Sequence, residues 1–113
     1  MHELALTNNI IRILEEQARS GAFTRVTTVW LDIGALSQVE PEAVRFCFDA
    51  ASRGTIAEGA TLVILEPPGE AWCMDCSKTV VVSRRGDACP DCGGFKLNVT
   101  GGTDLRVREM EVE

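Results

Sequence analysis

The sequence predicts an α+β protein in which two helices and a three-stranded sheet form one small domain, with a four-cysteine module inserted into it. Three observations support this prediction. Apolar residues recur at helical spacing in two segments, β-branched residues are concentrated in three others, and two Cys-x-x-Cys pairs precede the last of these. We place the α/β domain at residues 1–66 together with 103–113, and the inserted module at residues 67–102.

The first helix is expected from about Glu3 to Ser20. One face of this segment carries apolar side chains at helical spacing; they are Leu4, Ile11, Leu14 and Ala18. Gly21 supplies the stop, since glycine readily adopts the conformation that ends a helix.

The rest of the domain alternates strand and helix. Residues 25–33 are rich in β-branched and aromatic side chains and predict a strand. A second helix is expected to begin at Pro41 and to end near Gly54. Proline suits the first turn of a helix, because the N–H groups of that turn have no acceptor within the helix. A strand over residues 61–66 stops at Pro67-Pro68-Gly69, which we take as the domain boundary. After the module, residues 104–112 alternate in character and predict a strand that returns to the first sheet.

The inserted module contains two Cys-x-x-Cys pairs. They are Cys73-Met-Asp-Cys76 and Cys89-Pro-Asp-Cys92. Two facing loops of this type complete a tetrahedral site of four sulfurs, which zinc or iron prefers. Such a closed site has no open coordination position, so we interpret it as a structural zinc ribbon; two pairs in register favour metal over a dithiol redox centre. A module this small needs the metal in place of a large core.

The remaining cysteine, Cys47, lies between two phenylalanines on the second predicted helix and is interpreted as a small buried hydrophobe. Five cysteines without a secretion signal indicate reduced thiols and a cytoplasmic protein. No apolar stretch approaches the roughly 20 residues that span a bilayer, so we expect no membrane association.

The chain has a single histidine, His2. At the second position, a histidine offers its imidazole, its backbone nitrogen and the terminal amine of Met1, and these close adjacent chelate rings around one ion. Square-planar nitrogen ligands suit Ni(II) or Cu(II). Glu3 adds a carboxylate within reach. The amino terminus is therefore a candidate metal site.

The chain also resembles the HypA/HybF family of hydrogenase maturation factors over nearly its whole length. The resemblance is carried by Met1–Leu4, Val29–Ser37 with Val39-Glu40, Phe46–Asp49, Arg53–Thr55, Ala57–Gly59 and the two cysteine pairs. The HybF branch is especially similar, through Ala43–Phe46 and Glu111–Glu113.

This resemblance implies a nickel metallochaperone and not an enzyme. Ni(II) would be held transiently by His2 with Glu3 and the terminal amine of Met1, while the four cysteines would hold a structural Zn(II). Glu40 stands where some members carry an acidic residue associated with nickel. The implied partners are the nickel GTPase HypB and the large subunit of a [NiFe]-hydrogenase, and a homodimer is compatible with the sequence.

The alternative function is a zinc-ribbon adaptor that binds a protein or nucleic acid and has no nickel role. A net charge of −6, one adjacent basic pair (Arg84-Arg85) and only 5% aromatic residues argue against nucleic acid. A hydrolytic triad would need a histidine inside the fold, and no glycine pattern forms a phosphate loop.

Overall fold

The computed structural model describes residues 3–113 and contains two helices and six strands. In chain order these are α1 (Glu3–Gly21), β1 (Val26–Ile33), α2 (Pro41–Ala51), β2 (Thr61–Leu65), β3 (Gly69–Cys73), β4 (Lys78–Val82), β5 (Leu97–Gly101) and β6 (Leu105–Val112). The strands form two three-stranded sheets, ordered β2-β1-β6 and β4-β3-β5. No helix within residues 3–113 has the length and apolar character needed to cross a bilayer.

The chain divides into two compact units. The first contains the residues up to Leu31, the segment Val39–Ile64 and the carboxyl-terminal Arg106–Glu113. The second contains Asp32–Gln38 and Leu65–Leu105. The segment Asp32–Gln38 thus belongs to the same unit as the cysteines, although it lies before α2 in the sequence.

In the first unit, α1 packs against α2 and buries one face. The buried positions of α1 are Thr7, Ile10, Ile11 and Leu14. The prediction that Leu4 belongs to this face is wrong, since Leu4 is 51% exposed. Thr7 occupies the buried position instead, and its hydroxyl donates a hydrogen bond of 2.6 Å to the Glu3 carbonyl. A satisfied hydroxyl can be buried at small cost, which periodicity of apolar residues does not detect.

Strand β1 lies between its two neighbours, and its alternating residues Val29, Leu31 and Ile33 are fully buried, as expected for a central strand. Helix α2 starts with Pro41 at its first turn and ends three residues before Gly54, where the Ser52 N–H donates to the Phe48 carbonyl. The final strand β6 returns to the first sheet, as predicted.

The second unit is a sheet whose central strand, β3, was not predicted. Gly69-Glu-Ala-Trp-Cys has few β-branched residues, so composition alone does not indicate a strand. The segment is a strand because it pairs antiparallel with a neighbour on each side. Ala71 lies opposite Val80 on β4 and Val99 on β5. Trp72 points to the opposite face from Ala71 and is 42% exposed.

Candidate metal centre

The first cysteine loop follows directly from strand β3. Cys73 is the last residue of the strand, and its carbonyl accepts a 2.8 Å hydrogen bond from the Ser77 N–H. The Cys76 N–H points at the Cys73 sulfur, 3.4 Å away. Ser77 adopts a positive φ of 53°. The chain thus reverses within one turn and brings both sulfurs to the same side.

The second loop repeats this geometry. The Cys89 carbonyl accepts a 2.8 Å hydrogen bond from the Gly93 N–H, and Gly93 has a positive φ of 73°. A further bond of 2.7 Å, from the Cys89 N–H to the Gly94 carbonyl, closes the loop. Glycine tolerates this φ without strain, whereas Ser77 adopts the same region at some cost.

The two loops bring all four sulfurs together. The Sγ atoms of Cys73, Cys76, Cys89 and Cys92 lie within 4.8 Å of one another, and no other group of this kind occurs in the part of the chain that the structure describes. Two contacts join the loops: Cys73 to Cys92 at 3.7 Å and Cys76 to Cys89 at 3.9 Å. A tetrahedral ion with Zn–S bonds of about 2.3 Å places its sulfurs about 3.8 Å apart. The donor set and its spacing therefore fit a divalent metal with tetrahedral preference.

The crowding of four thiols affects their protonation. Hydrogen bonding to the Cys92 side chain, reinforced by that to Cys73, raises the pKa of Cys76 to about 12. By contrast, the backbone N–H of Cys92 lowers the pKa of Cys89 to about 7. Sulfurs so close together share protons, because four adjacent negative charges repel unless a cation neutralises them. Metal binding at this cluster must therefore release protons.

The cysteines also belong to the hydrophobic core of the second unit. Cys73 and Cys89 are buried and pack in one cluster with Leu36, Ala71, Val80 and Val82. Cys76 is half-buried and Cys92 is exposed. A metal here would join the two loops to each other and to the sheet, which is the part that a structural ion plays in a small module.

Two ion pairs cross from one loop to the other. Lys78, just after the first loop, contacts Asp91 inside the second loop, and this carboxylate raises the pKa of the lysine. Lys96, just after the second loop, pairs with Asp75 inside the first loop at 3.7 Å. The sequence contained a signal for this arrangement, an aspartate before the second cysteine of each pair, but the reciprocal pairing depends on the fold.

Other predicted site residues lie elsewhere. Cys47 is half-buried on α2 and is not part of the sulfur cluster. Glu3 is the first residue of α1, and Met1 and His2 lie outside the described residues. Glu40 is exposed immediately before α2, where its side chain makes no capping hydrogen bond.

Comparison with known proteins identifies the relatives of this chain. The family model described as "Hydrogenase/urease nickel incorporation, metallochaperone, hypA" matches residues 1–112. The "Hydrogenase maturation factor HypA" of Bradyrhizobium sp. (strain ORS 278) is 59% identical over 113 residues, and that of Rhodopseudomonas palustris (strain TIE-1) is 57% identical; each alignment covers 100% of both chains.

Solved structures share the fold. The solution structure of the Ni metallochaperone HypA from Helicobacter pylori matches with a TM-score of 0.71 and 23% identity, covering 99% of this chain and 97% of that chain. A second solution structure of a HypA protein matches with a TM-score of 0.74 and 23% identity, covering 100% and 97%.

Proposed function

Since this chain belongs to the HypA family of nickel metallochaperones for hydrogenase maturation, we propose that its amino terminus holds the nickel and its four cysteines a structural zinc. Family membership makes the protein a maturation factor and not a catalyst. Each relative named above is called HypA, and our assignment to the HybF branch stays a prediction. The observation that carries the function is the match over residues 1–112, since it includes both the amino terminus and the cysteine module.

We assign nickel to the first three residues. The amine of Met1, the backbone nitrogen of His2 and its imidazole supply the nitrogen ligands that Ni(II) favours, and Glu3 supplies an auxiliary carboxylate. His2 is the only histidine in the chain, so no other imidazole competes for this ion. Glu40 is a further acidic candidate, whose exposed side chain does not cap α2.

We assign zinc to Cys73, Cys76, Cys89 and Cys92. The sulfur spacing and the closed set of four donors support this assignment, because a site without an open position holds structure and does not activate water. The same donor set accepts iron, and metal analysis of the purified protein distinguishes the two ions.

The two sites suit different tasks. Four soft thiolates in a hydrophobic cluster bind their ion tightly and exchange it slowly, whereas a few ligands at a chain terminus allow rapid exchange. Rapid exchange is what delivery requires, since a carrier must release its cargo to an acceptor. The zinc unit, residues 67–102 in our assignment, would then maintain the fold while the domain of residues 1–66 and 103–113 carries the nickel.

The partners of this family are hydrogenase-related, because its members act in hydrogenase maturation. We propose a HypB-type nickel GTPase as the source of nickel and the large subunit of a [NiFe]-hydrogenase as its acceptor, in the cytoplasm. A homodimer is also compatible with this scheme. The zinc-ribbon adaptor alternative accounts for the cysteines alone, whereas the family match also covers the amino terminus.

Calorimetric titration of nickel into untagged, zinc-loaded protein tests the proposal, with His2→Ala as the variant and Asn8→Ala, an exposed change on α1, as the matched control. We expect nickel binding to disappear in His2→Ala and to persist in Asn8→Ala, with the zinc content of both unchanged. Equal binding by His2→Ala and the unmodified protein would remove the amino terminus from the nickel site.

A further inference from the structure

The face of the second sheet that carries Cys73 contains an apolar groove. Its floor is formed by Ala71, Val82, Leu97 and Val99, one or two residues from each strand. Phe95 also lines the groove and is 73% exposed. The groove has a volume of about 160 Å³. That is below the roughly 300 Å³ at which small-molecule pockets begin, so the groove suits one protein side chain.

Two arginines border this groove. Arg84 and Arg85 line it together with Phe95, and both also line a neighbouring hollow of about 320 Å³. Gln38 lies in that hollow and has a positive φ of 64°, a conformation that costs energy for a side chain other than glycine. Arg84 and Arg85 therefore border concave surface on two sides.

The pairing of cations in this unit singles out these two residues. The unit has four cationic side chains, and both lysines are engaged by carboxylates, Lys78 by Asp91 and Lys96 by Asp75. Among residues 3–113, no carboxylate lies within 4.0 Å of the guanidinium of Arg84 or Arg85.

The carboxylate nearest in sequence to the arginine pair, Asp87, hydrogen-bonds to the backbone of its own turn. Asp87 also lines the groove, but its Oδ2 atom accepts hydrogen bonds from the N–H groups of Ser83 at 3.1 Å and Arg84 at 3.0 Å. Asp87 thus holds the loop in shape and leaves both guanidinium groups available at its edge.

We propose that the groove and the arginine pair form a docking site for an acidic segment of a partner protein that carries one apolar side chain. The apolar side chain fills the groove against Phe95, and adjacent carboxylates pair with the two guanidinium groups. Guanidinium groups bind carboxylates through two parallel hydrogen bonds, and aromatic and arginine residues contribute most to binding at interfaces. A polyanion such as nucleic acid is disfavoured, because the chain has a net charge of −6 and this is its one adjacent basic pair.

This site depends on the metal centre. Ala71 and Val82 form the groove floor and also pack in the cluster that contains Cys73 and Cys89. Loss of the metal should disorder that floor, so docking requires the metal-loaded unit. The proposal goes beyond nickel delivery and does not rest on it, since none of these residues belongs to the proposed nickel site.

The test is selection of peptides from a random display library on the zinc-loaded, full-length protein, followed by affinity and NMR measurements with the selected synthetic peptide. We expect enriched sequences that combine carboxylates with one apolar residue and that shift the amide signals of Val82 and Phe95. The double variant Arg84→Glu/Arg85→Glu should weaken binding by about ten-fold or more, the order expected for close charge pairs. Arg53→Glu, an exposed charge reversal in the turn after α2, is the control and should leave affinity unchanged.

Several results would overturn the proposal. These are the absence of enriched peptides, enrichment of peptides that lack either the acidic or the apolar residue, and equal affinity of the charge-reversal variant. If that variant loses zinc, Arg84→Gln/Arg85→Gln removes the charges without repulsion and takes its place. Inorganic phosphate at moderate concentration should not displace the peptide; complete displacement would mean that the arginines bind simple anions only, which also contradicts the proposal.

Discussion

Gly34 packs directly against the backbone carbonyl of Gly102, so closely that a Cβ atom on Gly34 would overlap the carbonyl oxygen. The same oxygen accepts a 2.8 Å hydrogen bond from the Leu36 N–H. The Gly34 N–H in turn donates to the Asp104 carbonyl at 2.8 Å. The segment after β1 and the segment before β6 are therefore joined backbone to backbone within the second unit, at a distance that only glycine permits.

Substitution of Gly34 by alanine should destabilise the protein by about 1–3 kcal/mol, because the added methyl group forces two backbone segments apart. Thermal or urea unfolding followed by circular dichroism measures the loss. Gly21→Ala is the control, since a Cβ there would meet only the side chain of Phe23. Equal stability of Gly34→Ala and the unmodified protein would show that this contact is looser than described.

The burial of α1 gives a second prediction. Leu14 is fully buried, whereas Leu4 is 51% exposed on the same helix. Leu14→Ala should cost about 2–5 kcal/mol through lost contacts and a residual cavity. Leu4→Ala should stay within about 0.5 kcal/mol, as surface substitutions usually do. Urea unfolding of both variants measures these changes in the free energy of unfolding. Similar losses of stability at the two positions would contradict the assigned helix face.

Removal of the metal that we propose at the four cysteines should unfold the second unit. Its cysteines form part of its hydrophobic cluster, and a unit of this size has little other core. Addition of a strong chelator should remove the chemical-shift dispersion of the amide signals of strands β3, β4 and β5. Added zinc should restore it. The amide signals of α1, in the first unit, are the internal control. Dispersed signals from β3 in metal-free protein would mean that the sheet is stable without the ion.

The two ion pairs that cross between the cysteine loops should contribute little each. The side chains of Lys78 and Asp91 are 55% and 47% exposed, and water and salt screen exposed pairs. A double-mutant cycle with Lys78→Met and Asp91→Asn should give a coupling of about 0.2–1 kcal/mol at low salt. The cycle of Lys96→Met and Asp75→Asn is the matched comparison and should give a similar value. Coupling that is unchanged at high salt would contradict an electrostatic origin.

Extension of the amino terminus should abolish nickel binding. A Gly-Ser-Gly-Ser tag converts the Met1 amine into an amide and moves His2 away from the second position of the chain, so the chelate of adjacent rings cannot form. Calorimetry on tagged protein should show no nickel binding, and proteolytic removal of the tag should restore it. The zinc content of both forms is the control. Undiminished nickel affinity of the tagged protein would contradict the chelate proposal.

Much of the architecture was predictable because it depends on local chemistry. Pro41 places the start of α2, and β-branched residues place β1, since both act through the backbone of their own segment. The cysteine spacing likewise predicted the sulfur cluster. Leu4 was misassigned because helical periodicity does not distinguish an apolar side chain at the edge of a buried face from one at its centre.

The sequence by itself therefore determined the two helices, the three strands of the first sheet and the four sulfur donors, all of which follow from local propensity or from spacing along the chain. Tertiary structure alone decided the central position of β3, whose residues form a strand because partners pair with it on both sides. It also decided the reciprocal lysine–aspartate pairs and the placement of Arg84 and Arg85 beside an apolar groove. These features join residues far apart in sequence, and such contacts depend on the packing of the whole unit rather than on any one segment.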